Sequence, residues 1–353
     1  MSESYTIDNP PYEQLGREIL PRSNARRIAL SVLGTLLIAL LGNALADRYL
    51  GQYTTNRGYW LVGQKWRRLQ TLPQPVDWLI VGDSSGNQGV VPAKLEEMLG
   101  GRALNLCTVA DLTMLEDVWM IETYIDRLGP PQNVLVVHAY DVWPRRMLPA
   151  LIAKIPLSPW TLAQHIPPSI TWRERGEILM LHYVPMYAES TTLSGRIMDG
   201  IRSPRQFFDQ PFTLTPGGYM KTTTATPEWV HYDAWEHQKF VTETAFSVSY
   251  DNQLAGEKLA VLADRHGINV YLAVGPLFDG LYRDPAFAAY FTQVEVHLEE
   301  VAAQSGRIHY LSQVTTFGAD HMQNIDHVIH DAAEIYTANL AAQIEQIRKA
   351  STQ

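Results

Sequence analysis

The chain reads as an α/β protein: a doubly wound, mostly parallel five-stranded sheet, entered through an N-terminal transmembrane helix and interrupted by an inserted cap. Three observations predict this. Short apolar runs such as Trp78–Val81 and Asn133–His138 alternate with longer helical stretches, the rhythm of parallel strands joined by right-handed crossovers. Residues 28–46 form an uncharged apolar run close to the N-terminus. The stretch from about 142 to 245 breaks the rhythm with repeated Pro, Trp and Tyr, and so reads as a helical or irregular insertion over one edge of the sheet.

Residues 1–27 are expected to be a polar cytoplasmic tail, with Asn9, Pro10, Pro11 and Pro21 in it and Arg26-Arg27 at its end. In the run 28–46, IALSVLGTLLIALLGNALA, Asn43 is the only strongly polar residue, and its length approaches the ~20 residues that cross a bilayer as a helix. The Arg pair just before it places the tail inside and the body outside the cytoplasmic membrane. Ala44-Leu45-Ala46 resembles a signal-peptidase site, but the long polar leader and long apolar core favour an uncleaved anchor. Residues 47–75, with Tyr59, Trp60, Leu61, Trp66 and Leu69 at helical spacing, are expected to form a stalk, its tryptophans set either at the lipid interface or against the body.

The body spans 76–353. Strands are expected at 78–81, 103–107, 133–138, 269–274 and 307–311, and helices near 93–99, 114–128, 253–266, 285–305 and 331–349. With 353 residues, 46% of them hydrophobic, the chain can bury a large core. A net charge of −9 without a Lys/Arg cluster in the body argues against nucleic acid as a partner. The single cysteine, Cys107, rules out an intrachain disulfide, and its apolar neighbours suit a buried thiol. There is no GxxxxGK[ST] and no GxGxxG, and no cofactor is expected.

Gly82-Asp83-Ser84 follows the first strand, where ligands of open sheets bind. The backbone N–H groups of Ser84, Ser85 and Gly86 are expected to face one oxyanion, although a strand-to-helix turn asks for Gly and a small polar cap on backbone grounds alone. A serine nucleophile needs a base, and the candidate is His327, oriented by Asp326 or Asn324, in a loop between the last strand and last helix that returns to the same sheet edge. Asp320, His321, His330 and Asp331 lie close by, but no Cys or HExxH accompanies them and no metal site is expected. Asp331 suits the first turn of the last helix.

VGDSS at 81–85 and DHVIHDAAEIYT at 326–337 resemble the SGNH/GDSL hydrolase superfamily. The resemblance covers about 77–140 and 255–345, and it implies a flavodoxin-like fold with Ser84 as nucleophile and His327 as the histidine. With the membrane anchor, the chain is similar to the branch that acylates envelope polymers. That implies an esterase or O-acyltransferase acting on a cell-envelope polysaccharide, with an acyl donor and a membrane-bound O-acyltransferase as partners. Three positions depart from the superfamily pattern. Asn324 stands where an Asp is usual, Val109-Ala110-Asp111 lacks the second-block glycine, and His138-Ala139-Tyr140-Asp141 lacks the third-block asparagine. Asn87, Gln88 and Tyr140 are candidate replacement donors or simply turn residues. The alternatives are an SGNH-type scaffold that binds polymer without chemistry, and an unrelated α/β domain. Trp143, Trp160, Trp172, Trp229 and Trp235 either line a saccharide groove or pack the cap.

Overall fold

The computed structural model describes residues 22–352, so residues 1–21 of the expected tail lie outside the described residues. Helices α1 (Arg22–Tyr53) and α2 (Arg57–Thr71) precede strand β1 (Trp78–Gly82). Then come α3 (Ser84–Gly89), α4 (Pro92–Leu99), β2 (Ala103–Asn105), α5 (Thr113–Leu128) and β3 (Asn133–His138). The cap holds α6 (Pro149–Ile152), α7 (Pro159–His165), α8 (Trp172–Tyr183), α9 (Pro185–Ala188), α10 (Ser190–Arg202) and α11 (Pro227–Glu243). The sheet resumes with α12 (Tyr250–His266), β4 (Asn269–Val274), β5 (Leu277–Phe278), α13 (Asp279–Tyr282), α14 (Pro285–Ala302), β6 (Ile308–Leu311), β7 (Thr316–Phe317) and α15 (His330–Thr352).

The main sheet has the expected doubly wound form, with five parallel strands in the order β2-β1-β3-β4-β6, while β5 and β7 pair separately. Every residue of β1 and β3 is buried, because helices cover both faces. The chain winds outward from β1 to β2 and then reverses to β3. A crevice therefore opens between the carboxyl ends of β1 and β3, where Ser84 and Ala139 leave the sheet. The second strand stops at Asn105, short of the expected 107. The Asn105 side chain turns inward, donating to Gly86 O and Val90 O at 3.0 Å each and accepting from Cys107 N–H at 3.0 Å.

Gly82 ends β1 at φ +137°, and a Cβ there would lie 1.9 Å from Val137 O on β3. Only glycine fits this close approach. Gly82→Ala is expected to cost more than the roughly 1–3 kcal/mol of a strained backbone alone, because β1 and β3 must also separate. A thermal melt followed by circular dichroism should show a lowered Tm or no folded protein.

Helix α1 is long and apolar enough to cross a membrane and is unburied along its apolar window. The segment after it differs from the expected stalk: α2 packs into the body. Trp66, Leu69 and Lys65 are fully buried, Trp60 packs against Met220, and Trp66 Nε1 donates to Glu116 Oε1 on α5 at 2.7 Å. An amphipathic helix needs some surface to cover, and here the surface is protein rather than lipid. Of the cap tryptophans, Trp143 is buried, whereas Trp160, Trp172, Trp229 and Trp235 are exposed.

Candidate functional site

Ser84 is the first residue of α3, so the segment expected to be a loop is a short helix. Asp83 caps it: Oδ1 accepts from Ser85 N–H at 2.9 Å and Ser85 Oγ–H at 2.6 Å, and Oδ2 accepts from Ala139 N–H at 2.7 Å. Six residues cannot hold a helix in water on their own, so these bonds and the packing of α15 define its geometry. Thr337 Oγ1 of α15 accepts from Val91 N–H at 2.9 Å and has its one proton between Ala333 O at 2.8 Å and Gly89 O at 3.1 Å, and Tyr336 donates to Val274 O at 2.7 Å. This docking carries the start of α15, and the loop before it, back from the sheet edge toward α3.

In that loop His327 Nδ1 lies 2.7 Å from Asn324 Oδ1 and 2.5 Å from Asp326 Oδ1. A proton on Nδ1 is therefore held by both, which leaves Nε2 as the atom able to accept one. The loop is pinned by Gln323 N–H donating to His327 O at 2.8 Å, and by cap helix α11, whose Asp233 Oδ2 accepts from Ile325 N–H at 3.2 Å. Burial pushes the His327 pKa down, but the Asp326 charge and hydrogen bond outweigh it, and the net shift is upward. The charges of Arg57 and Asp83 also reach the ring, the first opposing and the second favouring protonation. His327 and Asn324 line a cleft of about 260 Å³ together with Arg57, Thr226, Trp229 and Gln323.

His327, Asn324 and Asp326 are thus brought together. Ser84 sits partly exposed at the head of α3 and makes no side-chain hydrogen bond among the described residues, to His327 or to any other group. The remaining candidates have other tasks. Ser85 is fully buried and both its N–H and hydroxyl are taken by Asp83, so its amide is not available to an oxyanion. Gly86 packs under Cys107, where a Cβ would lie 2.8 Å from Sγ. Asn87 is buried and accepts from Lys65 Nζ at 2.7 Å. Tyr140 is buried, with its hydroxyl bonded to His237 Nδ1. Where the resemblance led to second- and third-block oxyanion donors, Arg145 bridges the two loops instead, 2.7 Å from Asp111 and 2.5 Å from Asp141.

Beneath α3 lies a buried ionic group that sequence patterns do not reveal. His138 Nε2 is 2.6 Å from Asp117 Oδ2, and its Nδ1 is 3.4 Å from Asp83 Oδ2 without hydrogen-bond alignment. Burial alone would lower the His138 pKa, but the charges of Asp117 and Asp83 raise it to about 10. Burial would raise Asp83, but His138, Ser85 and the Ala139 N–H bring it down to about 2. Lys65 Nζ lies 2.7–3.1 Å from four acceptors, Asn87 Oδ1, Asn105 O, Asn105 Oδ1 and Gly218 O, which share its three N–H groups, and burial lowers its pKa to about 7. Arg57, in the segment expected to be a stalk, carries no local signal that would have marked it as a cleft residue.

No protein-family model matches the chain, and no characterised protein aligns with it significantly. The parallel α/β architecture agrees with an SGNH-type fold without establishing that family.

Proposed function

We propose that the protein is a membrane-anchored SGNH-like acyl esterase or O-acyltransferase acting on a cell-envelope polysaccharide, with its body outside the cytoplasmic membrane. The observation that carries this reading is the His327 ring, held at Nδ1 by Asp326 and Asn324 in an open cleft and aligned as a base. In the proposed reaction Ser84 Oγ attacks the ester carbonyl while His327 Nε2 takes its proton. The oxyanion would be met by the Ser84 backbone N–H, with positive charge supplied from the His327 cleft by Arg57, whose sole side-chain hydrogen bond among the described residues is to Met220 Sδ at 3.1 Å. His327 then returns the proton to the leaving alcohol, and water or a polymer hydroxyl takes the acyl group from Ser84. A polymer substrate is supported by an exposed aromatic row on α11. Trp229 lines the cleft, Tyr232 lies 5.2 Å from it and Trp235 a further 6.1 Å along, a platform on which sugar rings can lay their C–H faces.

A base must be neutral to work, so kcat/KM toward p-nitrophenyl acetate should rise with pH through an inflection above the ordinary histidine value of about 6.5. Asp326→Asn removes the charge that raises it, and the inflection should move down. An unmoved inflection in that variant would count against His327 as the base.

The second reading is a polymer-binding scaffold that keeps the fold without the chemistry. It is favoured by the engaged side chains of Ser85, Asn87 and Tyr140 and by the lack of a Ser84–His327 hydrogen bond. That bond is often long or absent before substrate binds. An enzyme should react with a fluorophosphonate at Ser84, and a scaffold should not.

A further inference from the structure

The cap touches α1 inside the apolar run. Asn43 Nδ2 donates to Tyr183 O at 2.6 Å, and Asn43 Oδ1 accepts from Met186 N–H at 3.3 Å. These backbone groups belong to the break between α8 and α9, where Val184 leaves helical geometry at φ −123° and ψ 63° and Pro185 starts the next turn. Asn43 thus satisfies groups that the break opens, and the cap satisfies an amide that would be costly in hydrocarbon. Asn43 lies four residues before Asp47, the first charged residue after the run, which at 1.5 Å per residue sets it about 6 Å inside the apolar layer.

Around this contact the cap has no Asp, Glu, Lys or Arg from Ile178 to Ala188, and its one histidine, His182, has Nδ1 2.8 Å from Ala153 O on the body side of the cap. Met180, Tyr183, Val184, Met186 and Tyr187 keep between 41% and 60% of their surface exposed. Glu189, which follows, is turned inward onto Thr54 and onto Lys154 Nζ at 2.6 Å. A cavity of about 620 Å³ between α1, α2 and the cap begins at this contact and runs toward the charged groups of Asp47, Arg67, Lys154 and Glu189, so the polar wall faces the body and the apolar one faces the α1 run. The depth of about 6 Å falls within the ~5–10 Å at which interfacial helices bury their apolar face.

We propose that residues 178–188 insert into the same leaflet that α1 crosses, so that a phospholipid bilayer, not a protein, covers this apolar surface. The body is then held at two places, by a spanning helix and by a shallow hairpin of the cap. The inference rests on α1 crossing the bilayer and is independent of any chemistry at Ser84.

The test uses the full-length protein in phosphatidylcholine vesicles. Tyr187→Cys, Leu37→Cys in α1 and Lys239→Cys on α11 are each labelled with a fluorophore, Cys107 being buried, and each is exposed to lipids carrying a shallow or deep nitroxide. Strong quenching at 187 by the shallow nitroxide, at 37 by the deep one, and little at 239 is the expected result. Quenching at 37 with 187 behaving like 239 overturns insertion of the cap alone. Loss of quenching at 37 overturns both the anchor and the insertion.

Discussion

Ser84→Ala should abolish fluorophosphonate labelling and reduce p-nitrophenyl acetate turnover by on the order of 10⁴–10⁶-fold, the range seen when one member of a serine–histidine unit is removed. The fold should be untouched. Asp83, not Ser84, caps α3, and the Ser84 hydroxyl bonds to nothing among the described residues, so the variant should melt within about 0.5 kcal/mol of the parent. His327→Ala should lose comparable activity for a different reason, since the nucleophile remains but its proton has no acceptor. Full labelling of Ser84→Ala would place the reactive group elsewhere, and an unlabelled parent protein would leave the scaffold reading standing.

His138→Ala should destabilise the fold by about 3–5 kcal/mol, because it strands two buried carboxylates that now share one imidazolium. The pH dependence follows from a folded-state pKa of about 10 against an unfolded value near 6.5. The stability contributed by His138 is complete below about pH 6.5 and is lost as pH rises through about 10. The gap in Tm between parent and variant should therefore be wide at pH 6 and narrow by pH 10. A gap that is constant across that window would mean the ring is neutral in the folded protein and acts only by packing.

Much of the sheet was legible because buried parallel strands announce themselves as short apolar runs, as in WLIVG and NVLVVH. The strand limits were less so: Asn105 ends β2 through side-chain bonds to α3, a tertiary event that no local pattern contains. At the candidate site, His327, Asn324 and Asp326 are neighbours in sequence, so local reading could name together three side chains that do touch. Asp117 and His138 meet only after α5 has crossed the sheet, and nothing in either stretch marks a histidine destined to be charged in the core. The side chains expected as donors beside Ser84 are engaged elsewhere for a related reason. Sequence shows which side chains stand near the turn, but Ser85 and Asn87 point inward to hold Asp83 and Lys65. Within the expected stalk of 47–75, helical periodicity alone cannot say whether the apolar side of α2 meets lipid or protein.

Lys65 has a bearing on how far the α3 turn can stand from the membrane segment. It joins the helix that follows the membrane segment to the residues directly under Ser84, and Thr54, Thr55 and Asn56 are all that separate α1 from α2. With so little slack, α1 holds the Ser84 turn at one altitude, where a domain on a long leash would range widely. On the proposed reading, acyl donor and acceptor would both have to come to that one height above the bilayer.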